Sequence, residues 1–148
     1  MIESMPTTDI ANAERFERVG VSATPELAAR MRDEFAQWLQ SFFALDAERS
    51  SDAVLAINEA LANCAEFAYL QAVDVGTMDL RVAYDAASST LTAVVEDRGE
   101  WRLTDAHADT RTRGRGIPLM RSLSDRAAIE SSVDGTKVTL AWVNVGRR

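Results

Sequence analysis

The hydrophobic period of this chain changes at Gly76, and that change limits the fold more than any other feature. Upstream, in "PELAARMRDEFAQWLQSFFAL", Leu27, Met31, Phe35, Leu39 and Phe42 recur at helical spacing. Thr24, Pro25 and Glu26 open that helix with a capping hydroxyl, a proline in the first turn and an acid near the positive end of the dipole. A second helix is predicted from Ser50 or Ser51 through "DAVLAINEALANCAEFAYL". Val54, Leu61, Cys64 and Ala68 form its apolar side, and Asp52, Glu59, Asn63 and Glu66 its other side. Downstream the period is two: "MDLRVAY" and "TLTAVVED" flank "DAASS", which predicts an antiparallel hairpin with a loop of about five residues. "AAIESSV" and "TKVTLAWV" read as a closing hairpin across Asp134 and Gly135, a dipeptide favoured in tight turns. "FERVGVSA" reads as one more strand and "IPLMRSLSD" as a short third helix.

These elements predict an α/β chain of the two-layer α+β kind. Three helices lie on one face of a mixed, mostly antiparallel five-stranded sheet. Residues 1–14 are polar without a usable period and predict a flexible tail, leaving 15–148 as one domain. No run of apolar residues approaches the roughly 20 that a membrane span needs. The start "MIESMPTTDIANAERFERVG" lacks a basic stretch followed by an apolar core, which predicts no secretory signal and a cytoplasmic protein. The formal net charge of −7, from 16 basic and 23 acidic residues, repels phosphate backbones and argues against direct nucleic-acid binding. Cys64 is the only cysteine and His107 the only histidine, which excludes an intrachain disulfide and a Cys/His metal cage. A metal here must use oxygen ligands.

Three stretches carry chemistry. Glu59 and Asn63 lie four apart, one helical turn from each other on one face. A carboxamide oxygen can ligate Mg²⁺ while the carboxylate orients or deprotonates an attacking hydroxyl; the same spacing also suits a plain solvated helix face. "VVEDRG" puts Asp97 and Gly99 where an apolar strand ends. An aspartate there can accept from an exocyclic amine such as that of adenine, and a glycine lets backbone approach a flat ring, although both are also ordinary turn residues. Finally, "DTRTRGRGIPLM" is neither a Walker A loop nor a complete GxGxxG. Gly114 and Gly116 precede Ile117-Pro118, which aims free backbone N–H groups and a positive dipole end at whatever lies above. Arg111, Arg113 and Arg115 add positive charge, so the loop suits phosphates, or else simply caps a helix. The long polar stretch from Arg98 to Arg115 could fold over a ligand as a lid.

The order of "AINEALANCAEFAYL", "VVEDRGEWR", "RGRGIPLMRSLSD" and "GTKVTLAW" resembles the GHKL ATPase superfamily, whose nucleotide-binding unit is the Bergerat fold. Within it the chain is most similar to the anti-sigma factor serine-protein kinases and related histidine-kinase-like ATPase domains, over nearly all of residues 16–145. The resemblance implies ATP and Mg²⁺ as cofactors, Glu59 as the catalytic carboxylate and Asn63 as the Mg²⁺ ligand. It implies Asp97 and Gly99 at the adenine with Thr136 supporting that pocket, and Gly114, Arg115 and Gly116, flanked by Arg113 and Ile117, at the phosphates. It implies a sigma factor and a STAS-type anti-sigma-factor antagonist as partners, the antagonist phosphorylated on serine, and a homodimer. The chain departs from the family where relatives often read NAxxHAY and it reads "NCAEFAY". Phe67 cannot hydrogen-bond as histidine would, and Glu66 adds a third acid beside Glu59. That leaves a second expectation open, a catalytically weak or inactive ATP-binding module that regulates by binding alone.

Overall fold

The computed structural model describes residues 8–66, 76–98, 118–132 and 135–148. In chain order they form β1 (Thr8–Ala11), β2 (Arg15–Ser22), α1 (Pro25–Phe42), β3 (Phe43–Ala44), α2 (Ala47–Glu66), β4 (Thr77–Asp85), β5 (Thr90–Asp97), β6 (Arg126–Ser132), β7 (Gly135–Trp142) and β8 (Gly146–Arg147). Residues 118–122 add a short third helical segment. The main sheet has the order β1-β2-β4-β5-β7-β6, and β3 and β8 form a separate two-stranded ribbon.

Strand alternation decides which side of the sheet is covered. Leu91, Ala93, Val95 and Asp97 of β5 and Thr136, Val138, Leu140 and Trp142 of β7 are buried, while the residues between them are partly or fully exposed. Against this inner face α1 lays Ala28, Met31, Phe35, Trp38 and Leu39, and α2 lays Ala53, Ala56, Ile57, Ala60, Leu61 and Cys64. Met120 of the third helical segment joins the same core. Thr24 caps α1 as its sequence suggests, its backbone extended and its Oγ1 accepting from the Leu27 N–H at 3.2 Å.

Several details correct the sequence reading. Among the described residues the main sheet has six strands, not five, and every pairing in it is antiparallel, not mixed. The sixth strand is β1, inside the stretch expected to be a tail. It pairs with the outer edge of β2 from Thr8↔Val19 to Ala11↔Phe16, and the turn is held by the Asn12 side chain, whose Oδ1 accepts from the Glu14 and Arg15 N–H groups at 2.9 Å each. Residues 1–7 of the expected tail lie outside the described residues. The second helix starts at Ala47, ahead of Ser50, because Asp46 caps it: its Oδ1 accepts from the Arg49 N–H at 2.7 Å. The first helix stops at Phe42, where Phe43 turns extended and enters β3.

Candidate functional site

The site is built where the last two turns of α2 cross the end of β5. The face of α2 that meets the sheet carries Ala53, Ala56 and Ala60, and such short side chains let a helix lie close to the strands. Asn63, read from the sequence as part of the polar face, is consequently carried under: it is only 5% exposed. Its Nδ2 has no hydrogen-bond partner among the described residues, and a buried donor left open costs about 1–3 kcal/mol. One turn earlier, Glu59 stands half-buried on the same side. Its carboxyl is pushed above the ordinary carboxylate range, first by burial and then by the negative charge of Glu66.

Asp97 ends β5 on the inner face and is 4% exposed. Within the sheet it lies directly between Met78 of β4 and Thr136 of β7, and directly opposite residues share a face. The Cys64 thiol of α2 is buried at the same corner, 1% exposed. Burial, then the nearby Asp97 carboxylate, then the charge of Asp79, push the thiol well above its ordinary range, so it remains S–H. Thr136 is buried as well, its Oγ1 3.4 Å from the Ser131 hydroxyl.

Gly135 makes this corner possible. It has φ +141°, and a Cβ built on it would stand 2.0 Å from the Asp97 carbonyl oxygen, so only glycine can begin β7 there. An open depression of about 450 Å³ at this end of the sheet is lined in part by Asp97, Arg98, Ser131, Gly135 and Thr136.

Of the residues singled out in the sequence, the structure thus brings Glu59 and Asn63 together on α2 and Asp97 and Thr136 together on the sheet. Gly99, Arg111, Arg113, Gly114, Arg115, Gly116, Ile117 and the expected lid after Arg98 lie outside the described residues. Two residues at this corner were missed. Cys64 was weighed only for disulfides and metal cages and placed on an apolar helix side, and nothing local announces that it faces Asp97. Asp79, 2% exposed, sits in a strand whose alternation assigns it outward. It is enclosed by a bulge of β2, where the Gly20 N–H donates to its Oδ1 at 2.8 Å, and by Arg81 and Arg98 at 3.6 and 3.5 Å from its Oδ2.

A helix bearing a carboxylate and a buried carboxamide, laid across a strand that ends in a buried aspartate on one face of an antiparallel sheet, defines an ATPase domain of the Bergerat type. The sequence model of the histidine kinase-like ATPase domain matches residues 21–142, and the chain belongs to that family; it is an ATP-binding domain. Among solved structures it is similar to the crystal structure of the RsbU and RsbW domains of Rv1364c from Mycobacterium tuberculosis. The TM-score is 0.65 and the identity 24%, over 90% of this chain and 33% of that one, a likeness of fold. The chain thus spans about a third of the protein it matches there. No curated protein matches it. No helix among the described residues is long and apolar enough to cross a membrane.

The residues present fit a nucleotide carrying a divalent cation. The open, buried Nδ2 of Asn63 is a donor and would suit an acceptor such as a phosphate oxygen, while the Oδ1 of the same amide is the atom that could ligate the cation, and Gly135 keeps the backbone beside Asp97 free of side-chain bulk.

Proposed function

We propose that this chain is an ATP-dependent protein serine kinase of the anti-sigma type, which phosphorylates a serine of a STAS-type antagonist and sequesters a sigma factor, acting as a cytoplasmic homodimer. The observation that carries the reading is the pairing, one turn apart on α2, of a buried Asn63 with an open amide and a half-buried Glu59 with a raised carboxyl pKa. Asn63 would hold Mg²⁺ against the ATP phosphates, and the cation, when bound, offsets the negative charge of the transferred group. Glu59 would take the proton from the substrate serine Oγ. A carboxylate raised toward the working pH is a better general base than an ordinary one. Glu66, which departs from the family pattern, therefore tunes Glu59 in the useful direction. Asp97 would accept the adenine amine, with Thr136 beside it. The likeness of fold to part of the structure of the RsbU and RsbW domains of Rv1364c is compatible with this reading.

The test is to incubate the chain with Mg-ATP and candidate antagonist proteins and to read phosphoserine by intact mass. Glu59→Gln keeps the shape and loses the base, so it should bind ATP nearly as wild type while transfer falls roughly 10²–10⁴-fold. Asn63→Ala should weaken Mg-ATP binding itself. Equal transfer by wild type and Glu59→Gln would reject the role of Glu59. Tight Mg-ATP binding with no transfer to any antagonist would leave a module that regulates by binding only.

A further inference from the structure

We infer that Ser131 is a positioning residue of the nucleotide site: its hydroxyl, paired with that of Thr136, keeps Thr136 as a hydrogen-bond donor to the ring nitrogen N1 of the base, beside the carboxylate that takes the exocyclic amine. The assignment rests on the reading of Asp97 as the adenine acceptor.

Three neighbouring strands change character at the same row of the sheet. On the inner face β5 carries Ala93 and Val95 and then Asp97, β7 carries Leu140 and Val138 and then Thr136, and β6 carries Ala127 and Ile129 and then Ser131. The register sets these against one another. Val95 lies opposite Val138 and Val138 opposite Ile129; in the next row Asp97 lies opposite Thr136 and Thr136 opposite Ser131. An apolar row is thus followed by a carboxylate and two hydroxyls in line. Strand ends are commonly polar because water reaches them, but Asp97 and Thr136 are 4% and 3% exposed. Of the three, Ser131 alone stands in the open, on the edge strand. All three line the same depression of about 450 Å³.

The hydroxyls supply what the carboxylate cannot. Ser131 Oγ and Thr136 Oγ1 are 3.4 Å apart, and either can be the donor. Among the described residues Ser131 is the hydrogen-bond partner of the Thr136 hydroxyl. Two hydroxyls joined by one bond keep one proton to spare. When Ser131 donates, the spare proton is on Thr136, the buried member beside Asp97, and a hydroxyl that accepts a bond is the stronger donor for it. The edge of adenine shows an amine N–H and, next to it, the bare acceptor N1. Asp97 as acceptor and Thr136 as donor match that order, whereas an ionised Asp97 has no proton to offer N1. Without Ser131 the Thr136 hydroxyl loses its partner and its proton is free to turn from the base.

The experiment compares Mg-dependent binding of ATP and of 1-deaza-ATP, which keeps the amine and lacks N1, by calorimetry on wild type, Ser131→Ala, Ser131→Val, Ser131→Thr and Thr136→Val. Wild type should prefer ATP by about three- to tenfold, the worth of one neutral-donor bond. Thr136→Val should erase the preference. Ser131→Ala and Ser131→Val, two donor-free side chains of different volume at an exposed position, should each cut it to under about twofold through weaker ATP binding alone. Ser131→Thr, which keeps the hydroxyl, should retain it. A residue that merely supports the strand would weaken both nucleotides alike, so an unchanged ratio in Ser131→Ala and Ser131→Val overturns the assignment of Ser131 and leaves the proposed function standing. Wild type binding both nucleotides equally would overturn the donor role of Thr136 and that of Ser131 with it, again without touching Asp97. Wild type binding ATP no better than purine riboside triphosphate, which lacks the amine, would overturn the role of Asp97, and wild type binding none of the three would overturn the nucleotide reading, each taking the Ser131 assignment with it.

Discussion

The two ends of the inner face are built on opposite terms. β4 runs from Met78, beside Asp97, to Tyr84, beside Phe43. At the Tyr84 end the interior is aromatic. Trp38 stands 5.0 Å from Phe43 and 5.6 Å from Phe16, and Phe43 4.8 Å from Tyr84, between ring centroids. The polar tips there are satisfied: Trp38 Nε1 donates to the Asn12 carbonyl at 2.7 Å and the Tyr84 hydroxyl to the Val145 carbonyl at 2.6 Å. At the Met78 end the interior holds a carboxylate, a threonine, a thiol and a carboxamide with an open donor. Such a polar corner costs folding energy unless every group is partnered. The aromatic end supplies the surplus that lets it persist, which is the usual division between a stabilising core and a strained site.

Removing the surplus is the largest way to break this contrast. Phe35 is fully buried and lies 6.0 Å from Phe16 and 6.1 Å from Trp38. Phe35→Ala should cost about 3–5 kcal/mol of stability, read as a lowered urea midpoint, while the fraction still folded binds ATP as before. Asp97→Asn should do the reverse. Loss of the charged acceptor should weaken ATP binding by about 1.5–3 kcal/mol, read by calorimetry, with little change in the urea midpoint. If Phe35→Ala altered affinity more than stability, or Asp97→Asn stability more than affinity, the two ends would not be separable in this way.

The same contrast explains what could be read in advance. The aromatic end was legible because period carries it: Met31, Phe35 and Leu39 repeat along α1, and Leu80 and Val82 alternate along β4. Even there Trp38 was passed over and β1 was missed, since four residues on an edge show too little alternation and are held mainly by pairing with β2. At the other end residue types were legible and their burial was not. Glu59 with Asn63, and Asp97 at a strand end, announce themselves by chemistry and spacing. Periodicity counts Asn63 as solvent-facing, because it cannot foresee how closely an alanine-lined helix will approach the sheet. The closeness of Cys64 to Asp97 joins distant parts of the chain and follows only from the packing of α2 on β5. Asp79 is enclosed by a bulge whose register shift, between Arg18 and Val21, no local pattern marks.

The smallest expected effect sharpens the comparison inside the site, between what burial and what charge do to Glu59. Burial is the larger cause of its raised carboxyl pKa and Glu66 the second. A general base must be deprotonated, so the rate of serine phosphorylation should fall as pH drops through the Glu59 pKa. Glu66→Gln removes a like charge and lowers that pKa, so the acidic limb of the rate profile should move to lower pH. Burial remains, so the limb should still lie above the ordinary carboxylate range. Glu66 is exposed, so added salt should screen it and move the wild-type limb in the same direction, with much less effect on Glu66→Gln. The stability sign follows from the same shift. A carboxyl whose pKa is higher folded than unfolded binds more protons when folded, so its contribution worsens as pH rises from the ordinary carboxylate range through the raised value. Glu59→Gln should remove that loss and be slightly more stable than wild type at neutral pH, read as a higher thermal midpoint. A limb that stays in place in Glu66→Gln and in high salt would show that Glu66 does not tune the base, and would leave burial alone to account for Glu59.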